Sequence, residues 1–173
     1  MSYQVETDVL GDHVSLNFDG PWAGYWLAFS RIVVGYWFLH AGLTKILFGF
    51  SAKGYLQYAS AGAITEPILK AFASGAGLAF VNVMIPAGEF LIGLGLIVGA
   101  FLRLASFFGA LLMSFFFFTN HGWAHGMVSS ELLGLLWFIT LAVFGAGRVW
   151  GVDEWLEQMD WARNNRWANY LLG

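Results

Sequence analysis

Four long apolar runs decide what this chain can become. They cover about residues 22–46, 78–101, 104–119 and 128–146, and the only charged residues they hold are Arg31, Lys45, Glu89 and Glu131. Each run approaches the roughly 20 residues needed to cross the hydrocarbon core of a bilayer. They are continuously apolar instead of alternating, which excludes a membrane β-barrel and points to helices. The composition agrees. Hydrophobic residues make up 58% of the 173 and charged residues 11%, where a soluble domain carries about 25% charged. The expected fold is an all-α integral membrane protein, a four-transmembrane-helix bundle over residues 22–150. A polar arm (1–21) precedes it and an interfacial tail (151–173) follows it.

The arm is acidic and has no basic stretch before an apolar core, so the first run is expected to stay in the protein as a helix. Val14, Leu16 and Phe18 alternate with polar residues there, the pattern of a short strand or extended arm. The stretch 47–77 is too long for a plain connector. Its aromatics and Pro67 predict one or two short interfacial helices covering one end of the bundle. Trp155, Leu156, Met159, Trp167 and Leu171 predict an interfacial amphipathic helix in the tail. With 17 Phe and 9 Trp, the chain has the inventory of a lipid-facing surface, so membrane lipid is its first partner. The net charge of −3 argues against nucleic acid, and the absence of cysteine removes disulfides, iron–sulfur ligation and thiolate chemistry.

Arg103 separates the second and third runs, so that turn is tight. Arg103 and Arg148 are expected at the interface, where a long side chain can snorkel to head groups. Four spans put both ends of the chain on one side with Arg103, Arg148, Arg163 and Arg166, against Lys45, Lys53 and Lys70 on the other. That balance favours cytoplasmic ends in the cell membrane. Glycines punctuate the helices at 35, 42, 88, 93, 95 and 99, and such small residues let membrane helices approach closely.

Arg31 and Glu89 lie deep in different runs. A charge at the centre of a membrane helix costs at least roughly 2.5–3.5 kcal/mol, so it is paired, wetted or used. Counted from its own helix end, each lies about 14–18 Å deep at the usual helical rise. The two are therefore expected to form a buried ion pair that holds the helices in register.

A second polar group gathers at the opposite end. His40 and Lys45 lie near the end of the first run. His121 and His125 lie in the following TNHGWAHG loop, and Glu131 opens the fourth run behind an N-cap at Ser129 or Ser130. Histidines that titrate near neutrality, beside a lysine and a carboxylate, can move protons or hold a small oxyanion. These five are the candidate catalytic residues. A metal is not expected, because glycines flank both loop histidines. Neither is haem, because no second histidine lies inside a run opposite His40.

Several local patterns resemble the DoxX/DoxD family of small four-helix membrane proteins. They are Arg31 followed by AGLTK (41–45), the run from Glu89 to Gly99 followed by Leu102 and Arg103, the TN and HGW of the third loop, Glu131, and FGAGRVWGVD (144–153). The spelling of the loop and the last motif is similar to archaeal, halophile-type members. The resemblance implies a membrane subunit of a quinone-linked oxidoreductase of the thiosulfate:quinone type, with quinone as electron acceptor and a DoxA-like or other redox subunit as partner. A non-catalytic accessory or assembly subunit is the alternative, a small transporter or channel the third reading. Self-association is compatible with all three.

Overall fold

A computed structural model describes residues 2–9, 12–19, 22–59, 65–119 and 128–173. The arm forms an antiparallel hairpin, β1 (Ser2–Val9) with β2 (Asp12–Asp19), in a register that pairs Val5 with Leu16 and Tyr3 with Phe18. The expected extended segment is therefore one half of a two-stranded ribbon. From Trp22 onward the described chain is helical, as the apolar runs require.

Four longer helices follow: α1 (Trp22–Phe48), α3 (Gly75–Val98), α4 (Leu102–Thr119) and α5 (Ser130–Val143), with a short α2 (Glu66–Ala71) before α3. Helices α3 and α4 are each long and apolar enough to cross a membrane. At 14 residues, α5 is shorter than its apolar run. It stops at Phe144, because Gly145 takes a left-handed φ of 58° and starts a buried turn over Ala146–Arg148.

Helix α1 packs chiefly on α3, and α4 on α5. The α1–α3 approach depends on glycine. A Cβ on Gly93 would lie 2.6 Å from Leu39 Cα, and one on Gly42 would lie 2.8 Å from Phe90 Cα. Backbones this close leave no room for a side chain, the packing that small residues permit in membrane helices. Between the pairs sits the core of Leu27, Val34, Phe38, Leu96, Met113 and Phe138. Phe38 meets Phe138 edge to face at 4.8 Å. The outward faces carry exposed Trp26, Phe29, Phe80, Val83, Phe107 and Phe118, an apolar exterior that a soluble domain seldom presents.

The close contacts set the register of α1 on α3. Gly42 faces Phe90, Leu39 faces Gly93 and Gly35 faces Ile97. Both helices overhang. The first turns of α1 run past the end of α3 and lie beside the segment after α5. There Gly24 meets Val149, and the Tyr25 and Trp150 rings stand 4.8 Å apart. The start of α3 rises above the end of α1, beside residues 49–59 and 65–74. These include a π-helical turn, Tyr55–Ala59, which with α2 forms a roof. Ala52 N–H donates to Asn82 Oδ1 at 2.8 Å, and Ala52, Leu56 and Ala73 bury together.

The tail is not one amphipathic helix. It breaks into α6 (Asp153–Leu156), α7 (Asp160–Arg163) and a 3-10 turn (Arg166–Tyr170), with extended backbone at Met159 and Asn165 between them. Folding back lets Ala162, Ala168 and Leu172 bury against one another. Asp153 joins the tail to the α3–α4 turn by accepting the N–H groups of Phe101, Leu102 and Gly173 at 2.7, 2.9 and 3.1 Å.

Candidate functional site

The two deep charges do not pair with each other. Glu89 lies level with residue 43 of α1 in the register set by the glycine contacts, and Arg31 lies about 18 Å along the axis from that level. Depth counted from each helix's own end compares only when the ends are flush, and α1 overhangs α3. Arg31, 1% exposed, donates instead from Nη1 to the Ala146 carbonyl at 3.3 Å and from Nη2 to the Trp150 carbonyl at 3.2 Å. Asp153 acts on it through space. Gly99, in a left-handed conformation with φ of 70°, leaves the room its guanidinium occupies. Arg31 is thus an anchor between α1 and the segment after α5. Arg148, in the turn after α5, donates from Nε to both Glu157 carboxylate oxygens at 2.9 and 3.0 Å, which ties that turn to the tail. Arg103, at the second position of α4, lies beside Gly173.

Glu89 pairs with Lys45. Lys45 Nζ donates to Glu89 Oε2 at 2.5 Å, the glutamate side chain being 6% exposed and the lysine 27%. A buried carboxylate so placed depends on its cation. The pair lines a chamber of about 190 Å³ together with Trp37, Phe38, Ala41, Met113, Phe116, Ser130 and Glu131. Glu131 reaches it from the first turn of α5, where Ser129 caps the helix by accepting the Leu132 N–H at 3.4 Å.

Of the five residues expected at this end, the structure brings Lys45 and Glu131 to one chamber. His40 is exposed on the outer face of α1, with its ring 5.9 Å from Tyr36. His121 and His125 lie outside the described residues. Sequence reasoning missed Glu89 as a member of this group, and with it Trp37 and Met113 as walls. The signal lay in the glycines, since Gly42 and Gly93 fix the register that carries Glu89 to Lys45.

A second hollow of about 420 Å³ lies under the roof, between the 52–56 turn, α2, α3 and α4. It shares Lys45 and Phe116 with the polar chamber. Its other walls are apolar or aromatic apart from Tyr55 and Thr119, and the Thr119 hydroxyl donates to the Phe115 carbonyl at 2.6 Å. The Tyr55 ring meets Phe116 edge-on at 5.8 Å, and Lys45 Nζ stands 5.6 Å over the Phe50 ring.

Residues 26–122, more than half of the chain, match the DoxX family. The chain belongs to the DoxX family. DoxX proteins are membrane proteins associated with redox-related proteins, so this DoxX chain is placed in a membrane. The matched segment contains Arg31, Lys45 and Glu89, while Glu131 lies beyond it. No curated protein and no solved structure matches the chain.

Proposed function

We propose that this DoxX protein is the membrane subunit of a quinone-linked oxidoreductase, of the thiosulfate:quinone type, and that the chamber around Lys45 and Glu89 serves the quinone side of the reaction. The observation that carries this reading is a buried ammonium–carboxylate pair sharing its lysine with an aromatic hollow large enough for a small ligand.

Charge balance among the described residues supports one of the chamber's two candidate tasks over the other. Two carboxylates, Glu89 and Glu131, face one ammonium there, and Lys45 is already engaged. A thiosulfate dianion would meet net negative charge in a confined space, which is unfavourable. A neutral quinone meets no such barrier, and its reduction needs protons. Oxidative coupling of two thiosulfate ions to tetrathionate releases two electrons, and quinone takes up those electrons with two protons to become quinol. Lys45 and the two carboxyl groups are proton-carrying groups within reach of such a site. The sulfur chemistry then belongs outside the chamber, with the DoxA-like partner subunit.

In this reading α1, α3, α4 and α5 all cross the cell membrane. The short α5 does so as the packing partner of α4. The roof and the tryptophan-bearing tail lie at opposite interfaces, and both ends of the chain face the cytoplasm with the arginines. The test is turnover. The DoxX subunit with its partner, in lipid nanodiscs, is expected to reduce decylubiquinone with thiosulfate as donor. A folded, intact complex that passes no electrons to the quinone sinks the oxidoreductase reading and leaves the accessory-subunit one.

A further inference from the structure

Three hollows among the described residues have mostly apolar walls, and their linings differ. The groove between α3 and α4, about 500 Å³, is lined by Leu91, Leu94, Val98, Phe101 and Phe108 with no charged or hydroxyl side chain. The groove between α1 and α5, about 420 Å³, has Thr140 as its one hydroxyl and no charged group. These two suit acyl chains, which offer nothing for a donor to hold. The hollow under the roof differs in having Lys45, Tyr55 and Thr119 among its lining residues, beside five phenylalanine side chains.

We infer that this roofed hollow is the binding site for the ring of a quinone, a flat neutral body with a carbonyl oxygen held by Lys45. The inference rests on the function proposed above and assigns its ligand a place. Four observations support it. The volume, about 420 Å³, is that of a small-ligand pocket. Phe50, Tyr55, Phe72, Phe80, Phe115 and Phe116 line it, and aromatic walls favour a flat conjugated ring by offset or edge-on contact. An ammonium has three N–H donors, so the bond to Glu89 leaves donors for a ligand oxygen. Tyr55, whose hydroxyl can donate or accept, lines the same hollow from the roof.

The geometry gives Lys45 a linking role, since among the described residues it is the one charged side chain common to the ring site and to the chamber holding Glu89 and Glu131. A carbonyl oxygen gaining electrons at Lys45 would have a hydrogen-bonded path to Glu89 for the proton that must arrive with them. The roof is tied down by the bond from Ala52 N–H to Asn82 Oδ1 and by Thr65 Oγ1 donating to the Phe118 carbonyl at 3.4 Å.

The experiment is direct binding and mapping on the full chain in nanodiscs. An azido-naphthoquinone photolabel is expected to attach to residues of the roof, α3 and α4 around Ile85, Leu112 and Phe116, and to be displaced by menadione but not by oleate. Leu112→Trp and Ile85→Phe each fill the hollow and are expected to weaken menadione binding at least tenfold. Labelling on wild-type protein keeps the test decisive if a filled variant fails to fold. Labels confined to either acyl groove, displacement by oleate as effective as by menadione, or unchanged affinity in both folded variants would overturn the site. Turnover separates this inference from the reading it rests on. Labels at the hollow without any thiosulfate-driven quinone reduction keep the ring site and reject the enzyme. Turnover that survives both filled variants keeps the enzyme and rejects the ring site.

Discussion

Replacing Lys45 by methionine keeps the length of the side chain and removes its ammonium, leaving the Glu89 carboxylate 6% exposed with no cation at 2.5 Å. Removing one partner of a buried pair typically costs about 3–5 kcal/mol. The lysine side is 27% exposed, which admits some solvent and places the expected loss at the lower end, about 3 kcal/mol. For a chain of this size that is a fall of about 6–12 °C in Tm. The double variant Lys45→Met/Glu89→Gln has neither charge to desolvate and is expected within about 1 kcal/mol of wild type. The assay is a double-mutant cycle by reversible unfolding in mixed micelles, and the account requires a coupling energy of about 2 kcal/mol or more. A coupling below about 0.5 kcal/mol, with Lys45→Met equally damaging whether residue 89 is Glu or Gln, would refute the pairing.

Other substitutions probe the framework around that pair. Gly93→Val places a side chain where Leu39 Cα would lie 2.6 Å from its Cβ; it is expected to lose about 1–3 kcal/mol in the same unfolding assay. Gly54→Ala, with open space around it, should change stability by less than about 0.5 kcal/mol. Arg31→Met removes the guanidinium donors from the Ala146 and Trp150 carbonyls, leaving Ala146 only the Val149 N–H. It should cost about 1–3 kcal/mol and speed proteolysis after residue 144, so an unchanged cleavage rate would remove Arg31 as the anchor. Burial pushes the Asp153 carboxyl above the ordinary 3.8, Glu157 adds to the rise, and the N–H groups of Leu102, Phe101 and Gly173 oppose it. The folded state then holds this proton more tightly than the unfolded one. The stabilisation is complete below pH 3.8 and lost as pH rises through the folded value. Unfolding measured across that acid range should show this decline in wild type and not in Asp153→Asn.

How much of this was legible in the sequence depends on which forces act locally. Helices α1 and α4 begin and end within about two residues of their apolar runs, since an apolar segment in lipid must satisfy its own backbone. The end of α5 was misjudged because Gly145 stops the helix while the apolar run continues to Ala146. The tail holds short helices, as expected, but breaks them apart for another reason. Its apolar residues allow one amphipathic helix, but Asp153 collects three N–H groups from distant positions and folds the segment back. Nothing in a local pattern shows those partners. The pairing of Arg31 with Glu89 failed because depth was counted from helix ends, whereas register is set where glycines let backbones touch. Read that way, Gly42 and Gly93 point to Lys45 as the partner of Glu89, and Lys45 with Glu131 remained from the expected polar group.

The central claim is that Lys45 and Glu89 serve quinone reduction as well as the fold. Their joint removal separates the two, because Lys45→Met/Glu89→Gln is expected to keep the stability of the wild-type protein. The decisive measurement is the steady-state rate at which the complete complex, carrying this double variant, reduces decylubiquinone with thiosulfate. The account predicts a folded complex of normal Tm whose turnover is lost. A folded complex that reduces the quinone at the wild-type rate would contradict it.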